Sequence, residues 1–453
     1  MRAAPATRHP KLVLATTILA SSLAFVDGSV VNVALPAIGK SLSANSAALQ
    51  WCINAYLLPL SAMLLLGGAA GDSYGRRRVL VAGVALFAAA SLACAVAPTL
   101  PFLLAARFFQ GVSAAALMPN SLAILGQSFS GAAKGRAVGI WAATSAIAGA
   151  VGPVLGGWLI DLGSWRAIFL INLPLAAVAI FLAIRYVQGD HERDGATLDW
   201  VGGALVTAGL GALTWALTVA TGPGGWSRSA VLAGLTGGVL LAWFVHVERR
   251  AREHALIPME LFASRSFLGL NAFTFLLYGA FSVLLVLVPY VLIEAQGWRG
   301  TAAGAALMPL PIILTLTSPV MGAVAGRTGT RLPLAIGSLV VGAGLLLMVR
   351  VQLGTSYWNA LLPAILVTSA GLSGAVAPLT TAVLASAGPR YTGAASGFNS
   401  AIARTGSLVA TALLGAVLAL RGESLLSAFH TAMIFSALCC GAAALCAFLL
   451  LER

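Results

Sequence analysis

The sequence predicts an all-α integral membrane protein with about fourteen transmembrane helices. Apolar residues make up 59% of the 453-residue chain and charged residues only 9%, whereas a soluble domain carries about 25% charged residues. Apolar runs of roughly 20 residues recur from end to end, and each is long enough to cross about 30 Å of hydrocarbon. Basic residues are also distributed unevenly between the two sides that these runs define.

The predicted spans follow the apolar runs in chain order. The first run is too long for a cleavable signal peptide, and it contains Asp27 and Asn32, which the apolar core of a signal peptide excludes. It is therefore interpreted as the first span. The approximate spans are 12–38, 50–71, 79–97, 99–126, 136–161, 166–187, 200–221, 229–248, 266–293, 301–326, 332–351, 357–386, 393–420 and 426–450.

The formal net charge of +13 is interpreted as a topology signal. With the N-terminus placed in the cytoplasm, 18 of the 26 Lys and Arg residues fall in cytoplasmic segments, six fall outside, and Arg107 and Arg404 lie within spans. This asymmetry follows the positive-inside rule and argues against a nucleic-acid interface, which needs basic residues clustered on one face. We therefore expect a multi-pass monomer in the cytoplasmic membrane, with both termini in the cytoplasm.

Two polar connections divide the spans into groups. Residues 188–200 form a polar linker, and residues 247–267 are first charged and then mixed apolar and basic. A short interfacial helix is expected in the second connection, carrying Leu256, Met259, Leu261 and Phe262.

A weak internal repeat relates residues 68–77, after span two, to residues 322–331, after span ten. We therefore predict an N-terminal six-helix bundle (1–187), a linker with an inserted helix pair and an interfacial segment (188–265), and a C-terminal six-helix bundle (266–453). Two related halves are a common transporter plan, with the substrate site between them near the midplane.

Asp27 is the one acidic residue of 13 that lies well inside a span. A charge at this depth costs at least about 2.5–3.5 kcal/mol, so it persists where it has a partner, a wet cavity or a functional role. At 1.5 Å per residue, Asp27 lies about 22 Å from the start of span one and Arg107 about 12 Å from the start of the oppositely directed span four. We predict that both belong to a proton-coupling site, and a purely structural ion pair is the alternative. Arg404, near the middle of span thirteen, has either a structural role or a substrate contact.

Five small or helix-bending residues recur on one face of span five. The small residues allow neighbouring helices to approach closely, and the proline bends the helix. The alternative to a functional role for these residues is ordinary helix packing. The five residues are Gly149, Gly152, Pro153, Gly156 and Gly157.

Several chemistries are not expected. Gly39-Lys40-Ser41 resembles the end of a phosphate-binding loop, but Ala34 occupies the position of its first glycine and no strand–loop–helix context exists. No cysteine spacing suits a metal site, and no cluster of His, Asp and Glu suits catalysis. We therefore expect neither an enzyme nor a metal, ATP or another cofactor, and an ion gradient as the energy source.

These motifs together resemble the major facilitator superfamily, and within it the fourteen-span branch of drug:proton antiporters. Residues 27–36 (DGSVVNVALP) look like the first-span signature of that branch, and residues 149–157 (GAVGPVLGG) look like the antiporter motif, which symporting relatives generally lack. Residues 68–78 are similar to the loop motif between spans two and three, and residues 107–111 (RFFQG) to the span-four motif. Three further segments look typical of the branch: 165–174, 256–262 and 404–406.

The resemblance implies the major facilitator fold and several residue roles. The resemblance implies that Arg107 takes part in proton coupling. Asp72, Gly75 and Arg76 are implied in gating, with the charged pair clamping the cytoplasmic helix ends in one transport state. The second copy of the loop motif has Gly326 where the acid would stand, so a one-sided clamp is expected.

The resulting hypothesis is a proton-coupled antiporter that exports small amphipathic drugs, antibiotics or toxic metabolites by alternating access. Because span ten carries no carboxylate, neutral or monocationic substrates are expected rather than dications. A metabolite or sugar symporter, a lipid or peptide exporter of the same branch, and a membrane-embedded enzyme are the alternatives. Candidate cavity residues, for each of which plain packing is the alternative, are Trp51, Asn54, Tyr56, Gln110, Tyr278, Phe281 and Arg404.

Overall fold

The computed structural model describes residues 9–129, 131–189, 199–222, 225–251 and 258–451. Over these ranges the chain is almost entirely α-helical. Most of the predicted polar linker and part of the predicted interfacial segment, including Leu256, lie outside the described residues.

The first group of helices occupies the region predicted as the N-terminal bundle. The helix α2 begins at a side-chain cap, where Asn45 accepts a hydrogen bond from the amide of Ala48. The turn between α2 and α3 depends on Gly75, whose φ of 92° is a conformation that L side chains rarely adopt. The helices are α1 (Pro10–Leu42), α2 (Ser46–Tyr74), α3 (Arg76–Ala95), α4 (Leu100–Ser128), α5 (Gly131–Asp161), α6 (Ala167–Leu170) and α7 (Asn172–Tyr186).

The remaining helices form the inserted pair and the region predicted as the C-terminal bundle. They are α8 (Trp200–Ala220), α9 (Arg228–Ala251), α10 (Arg265–Glu294), α11 (Gly300–Ala305), α12 (Pro309–Thr328), α13 (Arg331–Leu347), α14 (Leu361–Ser386), α15 (Gly388–Ala412), α16 (Gly415–Leu418) and α17 (Gly422–Leu450). Two pairs are nearly continuous, because α6 with α7 and α11 with α12 each make one apolar segment.

Twelve of these segments are long and apolar enough to cross a membrane. The helices α5 and α15 are not among these twelve, but both are long, with 31 and 25 residues. Both lie within the bundle, since α5 packs on α1 and α15 packs on α2 and α10. Within the described ranges the long helical segments therefore number fourteen, in agreement with the sequence prediction.

Helices of the same group pack on one another. In the first group α2 and α3 pack on α4, and α1 packs on α5 and α7; in the last group α13 packs on α14 and α17, and α10 packs on α15 and α17. The inserted helices α8 and α9 pack on each other, and α8 also contacts α2. The domain bounds at 187 and 265 remain a prediction.

The described part of the segment expected at the membrane interface packs on the helix bundle. Met259–Ala263 forms a short 3₁₀ helix, and Leu261 is buried. The ring of Phe262 meets Phe267 and Phe398 at centroid distances of 5.8 and 5.3 Å. Met259 and Phe262 are half-buried, and the interfacial position of the segment stays a prediction.

One end of the bundle, called here the Lys40 end, joins the two helix groups by polar contacts; the opposite end is called the Asp72 end. Glu294 at the end of α10 forms ion pairs with Lys40 of α1 at 3.6 Å and with Arg421 at 3.2 Å. Gln50 of α2 donates its Nε2 to the carbonyls of Thr411 and Ala412 on α15, at 3.0 and 3.1 Å.

A second contact at the Lys40 end joins α5 to α11. The Asp161 carboxylate, at the end of α5, accepts from the amides of Gly300 and Thr301 at 3.2 and 3.0 Å and from the Thr301 hydroxyl at 2.5 Å. A Cβ at Gly157 would overlap the backbone of Gly300, and a Cβ at Gly304 would overlap that of Pro153. The two helices therefore touch backbone to backbone, and the Lys40 end is closed.

We predict that Gly157→Ala weakens this closure. The added methyl has no space, and overpacking costs about 1–3 kcal/mol, so the two groups should separate at the Lys40 end. The measurement is the distance distribution between spin labels at the exposed positions Ser41 and Arg299, in a variant without the five native cysteines. Gly139→Ala in the same helix is the control, because a Cβ there meets nothing within 4 Å. Equal distributions for both variants would contradict the closure that we describe.

Candidate functional site

A buried ion pair between α1 and α4 is the centre of the candidate site. Arg107 donates its Nη1 to Asp27 Oδ2. Asp27 has no exposed surface, and Arg107 is 1% exposed. The sequence did not decide whether Asp27 and Arg107 touch. In the structure the two side chains are in direct contact.

Neutral polar side chains complete the hydrogen bonds of the Asp27 carboxylate. Asp27 Oδ1 accepts from Gln110 Nε2 at 3.1 Å and from Asn172 Nδ2 at 3.2 Å. Ser91 Oγ lies 2.8 Å from the same Gln110 nitrogen and 3.2 Å from the Asn172 nitrogen. Since an ionised carboxylate only accepts hydrogen bonds, these donors fit the charged form of Asp27.

The Arg107 guanidinium is held on its other sides by the backbone and by aromatic rings. Its Nε donates to the Cys52 carbonyl at 3.1 Å, and its Nη1 donates to Gln110 Oε1 at 2.8 Å. The guanidinium lies 4.5 Å from the centroid of Tyr56 and 5.8 Å from that of Phe169, within the range of a cation–π interaction. Tyr56 is fixed in turn by a 2.8 Å hydrogen bond to the Ala24 carbonyl.

The small residues of α5 form two adjacent contact strips. Gly152 and Gly156 face α1, where a Cβ would overlap Ser29 and Val30 respectively. Gly149 lies on the same strip more loosely, since a Cβ there would come 3.9 Å from Phe25. On the second strip, Pro153 and Gly157 face α11. One strip packs α5 within its own helix group and the other packs it across to the second group.

Comparison with known proteins identifies the family. The sequence profile of the Major Facilitator Superfamily matches residues 17–258 and 270–453. The chain belongs to the major facilitator superfamily. Curated relatives include the multidrug resistance protein Stp of Mycobacterium tuberculosis, which is 34% identical over 91% of this chain and 76% of its own length.

Two antibiotic-related major facilitators are similarly close. The methylenomycin A resistance protein of Streptomyces coelicolor is 32% identical over 87% of this chain and 83% of its own length. The cephamycin export protein CmcT of Amycolatopsis lactamdurans is 34% identical over 90% of this chain and 84% of its own length. The relatives named here are thus transport or resistance proteins, and this chain is a major facilitator of the multidrug efflux type.

Solved transporter structures share the fold. A POT family transporter in complex with 5-aminolevulinic acid superposes with a TM-score of 0.70 at 14% identity, over 97% of this chain and 95% of that one. A bacterial homologue of the human lysosomal transporter Spinster gives a TM-score of 0.66 at 16% identity, over 98% and 97% of the two chains. At these identities the likeness concerns the fold alone.

The loop motif of this major facilitator lies at the Asp72 end. Arg76 binds Asp72 with an Nη2–Oδ1 distance of 2.6 Å and donates to the Ala123 carbonyl of α4 at 3.2 Å. The Asp72 side chain is 49% exposed, so this pair is hydrated, unlike the pair at Asp27. Gly75 supplies the turn between the two charged residues. The gating role of the three residues stays a prediction.

The predicted cavity residues fall into two sets. Tyr56 and Gln110 are buried beside Arg107 and belong to the ion-pair site. The others lie on helices that meet between the two groups: Trp51 and Asn54 on α2, Tyr278 and Phe281 on α10, and Arg404 on α15. Of these, Asn54 is fully buried, and the remaining four are half-buried. Their substrate-binding role stays a prediction.

Sequence reasoning missed three members of the ion-pair site. Asn172 lay within the segment 165–174, which the family resemblance singled out without assigning it a role. Ser91 and the Cys52 carbonyl carried no signal, because a serine in an apolar helix and a backbone oxygen are unremarkable in sequence. Only the packing of α2 and α3 on α4, and of α7 on α1 and α3, brings them to the charges.

We predict that Asp27→Ala destabilises the protein far more than Asp72→Ala. Removing Asp27 leaves the Arg107 charge buried without its counterion, which costs about 3–5 kcal/mol. Loss of an exposed pair such as Asp72–Arg76 costs about 0–1 kcal/mol. Thermal unfolding in detergent measures both, and Asp27→Ala combined with Arg107→Met should recover part of the loss. Equal midpoints for the two single variants would show that the Asp27 site is hydrated.

Proposed function

We propose that this major facilitator is a proton-coupled antiporter that exports small amphipathic molecules from the cytoplasm. The observation that carries the proposal is the buried Asp27–Arg107 pair, in which both Asp27 oxygens accept hydrogen bonds. A proton that reaches Asp27 removes the negative charge that Arg107 needs. The protonation state of one residue therefore changes the stability of the packing among α1, α4 and α7.

The geometry gives protonation a mechanical consequence. The helix α1 carries Asp27 and also forms the surface against which Gly152 and Gly156 of α5 pack. The other strip of α5 closes the Lys40 end against α11. A shift of α1 on protonation thus reaches the contact between the two helix groups through one intervening helix, and rocking of the groups exposes the central space to alternate sides.

We infer that protons reach Asp27 from the Lys40 end. A pocket of about 460 Å³ is lined there by Ala37, Lys40, Trp165 and Arg166 among others. The Trp165 ring lies 6.2 Å from Phe169, which itself contacts the Arg107 guanidinium. Because Asp27 is fully buried in the present state, proton exchange requires this aromatic pair to separate when the Lys40 end opens.

The proposed orientation rests on charge. The excess of Lys and Arg in the segments at the Asp72 end follows the positive-inside rule, so the Asp72 end faces the cytoplasm and the Lys40 end faces outward. In this arrangement both termini lie in the cytoplasm, and we place the protein in the cell membrane. The proton gradient is the energy source, and neither ATP nor another cofactor takes part. A monomer suffices, because both helix groups belong to one chain.

The relatives support the direction of transport. One relative is named for cephamycin export, and two others are named for multidrug resistance and methylenomycin A resistance; outward transport of small molecules fits these names. A single proton supplies about 2.3 kcal/mol per 100 mV and about 1.36 kcal/mol per pH unit. One proton per cycle therefore supports an outward concentration ratio of roughly 100 or more for a neutral solute.

We predict that Asp27→Asn abolishes gradient-driven export. Loaded vesicles containing the purified protein are assayed with a cationic, a neutral and an anionic dye (rhodamine 123, Nile red and fluorescein), with and without a protonophore. The wild-type protein should move at least one dye in a gradient-dependent manner, and Asp27→Asn should reduce its roughly 100-fold accumulation toward equality.

Glu423→Gln is the matched control, since this carboxylate is exposed in the first turn of α17 and its loss should leave export unchanged. Wild-type rates and unchanged pH dependence in Asp27→Asn would refute the coupling assignment. Gradient-driven uptake in place of efflux would indicate a symporter.

A further inference from the structure

Arg404 is a deep cation that lies between the two helix groups. It belongs to α15, yet its Nη2 contacts the Met118 sulfur of α4 at 3.4 Å, and its guanidinium carbon Cζ lies 5.6 Å from the centroid of the Phe25 ring of α1. Both contacts are on the opposite helix group. The side chain therefore crosses the interface at which the substrate site of this fold is formed.

The register of α2 against α15 places Arg404 at mid-depth. At the Lys40 end, Gln50 binds the carbonyl of Thr411. Further along, a Cβ on Gly397 would come 2.7 Å from the Leu65 side chain, so these two positions are also opposed. Arg404 stands seven residues from Gly397 and seven from Thr411, hence about 10 Å along the helix from each contact.

No carboxylate compensates the charge of Arg404 in the part of the chain that the structure describes. Its contacts are a thioether sulfur and an aromatic ring, neither of which carries a negative charge. Asp27 is bound by Arg107, and Glu294 is bound at the Lys40 end. The only other described acid after residue 265 is Glu423, at the start of α17.

A deep cation without a counterion is costly, and such residues mark substrate or ion pathways. Two further features fit a binding site. Arg404, Phe25 and Met118 are half-buried rather than sealed, so they border open space. Asn54 is fully buried, and neither atom of its side-chain amide has a hydrogen-bond partner among the described residues. It lies one helical turn from Gln50, on the α2 face that meets α15.

We propose that Arg404 binds the anionic group of the exported substrate, so that the cargo is an amphipathic carboxylate or a similar organic anion. The guanidinium offers a two-pronged donor that matches a carboxylate. Phe25 and Met118 provide apolar surface for the rest of the molecule, and the amide of Asn54 provides an additional polar contact. This proposal rests on the export function proposed above and replaces the expectation of neutral or monocationic cargo.

The charge balance of the site supports an anion over a cation. Within the described residues the central region holds one paired acid, Asp27, and two arginines, Arg107 and Arg404. A cationic substrate would meet the Arg404 charge without a carboxylate to offset it, whereas an anion supplies the missing counterion. An anion that binds beside Arg404 therefore offsets the free-energy cost of its unpaired charge.

The test compares two dyes of the same ring system and opposite charge. Binding and gradient-driven transport of fluorescein, an anion, and rhodamine 123, a cation, are measured with purified and reconstituted protein. The wild-type protein should bind and export fluorescein in preference to rhodamine 123. Arg404→Gln should weaken fluorescein binding about tenfold or more, the loss expected for a hydrogen bond to a charged group, and Arg404→Lys should weaken it less.

Arg350→Gln, an exposed arginine of the same helix group, is the control and should behave as wild type. Thermal unfolding identifies any variant that fails to fold, in which case Arg404→Lys supplies the comparison. Preference for rhodamine 123, or unchanged fluorescein binding in Arg404→Gln, would overturn the proposal while leaving proton-coupled export intact. Loss of gradient dependence for every dye would instead refute the proposed function itself.

Discussion

The buried contact between Asp27 and Arg107 is the interaction on which the first helix group depends. Neither charge is stable alone in an apolar interior, so α1 and α4 must meet where these side chains meet. Three more helices supply the remaining contacts, with Cys52 from α2, Ser91 from α3 and Asn172 from α7. The cost of an unpaired charge thus fixes the relative positions of five helices. It also makes their packing sensitive to a single proton.

The second constraint is the close approach of backbones along α5. Where glycines face α1 and α11, no side chain separates the helices, and small displacements at one contact are transmitted to the other. The contacts at the Lys40 end are of a different kind. The Glu294 and Asp161 interactions are partly exposed ion pairs and hydrogen bonds, which are weak individually. A closure made from several weak polar contacts and one tight apolar contact can open without large cost, as an alternating-access transporter requires.

Arg107 and Arg404 show how environment assigns different tasks to the same residue type. Arg107 contacts a carboxylate, an amide, a carbonyl and two rings, so its charge is compensated within the protein. Arg404 reaches across the interface to a sulfur and a ring, and its site is completed by a ligand of opposite charge. Both are arginines within apolar helices, and the sequence distinguishes them only by the motifs around them.

The sequence by itself determined the order of the long helical segments, most of their bounds to within a few residues, and the three positions at which charge lies deep: Asp27, Arg107 and Arg404. It could do so because hydropathy and the cost of a buried charge are local properties of the chain. It also anticipated the close packing of α5, since glycine and proline at helical spacing have few other uses. The tertiary structure alone decided which groups meet: the partners of Asp27, the two-sided contact of α5, and the absence of a counterion near Arg404 among the described residues. Those contacts join residues far apart in the chain, such as Met118 and Arg404 at a separation of 286 positions, and such pairings depend on how whole helices pack, which no local pattern encodes.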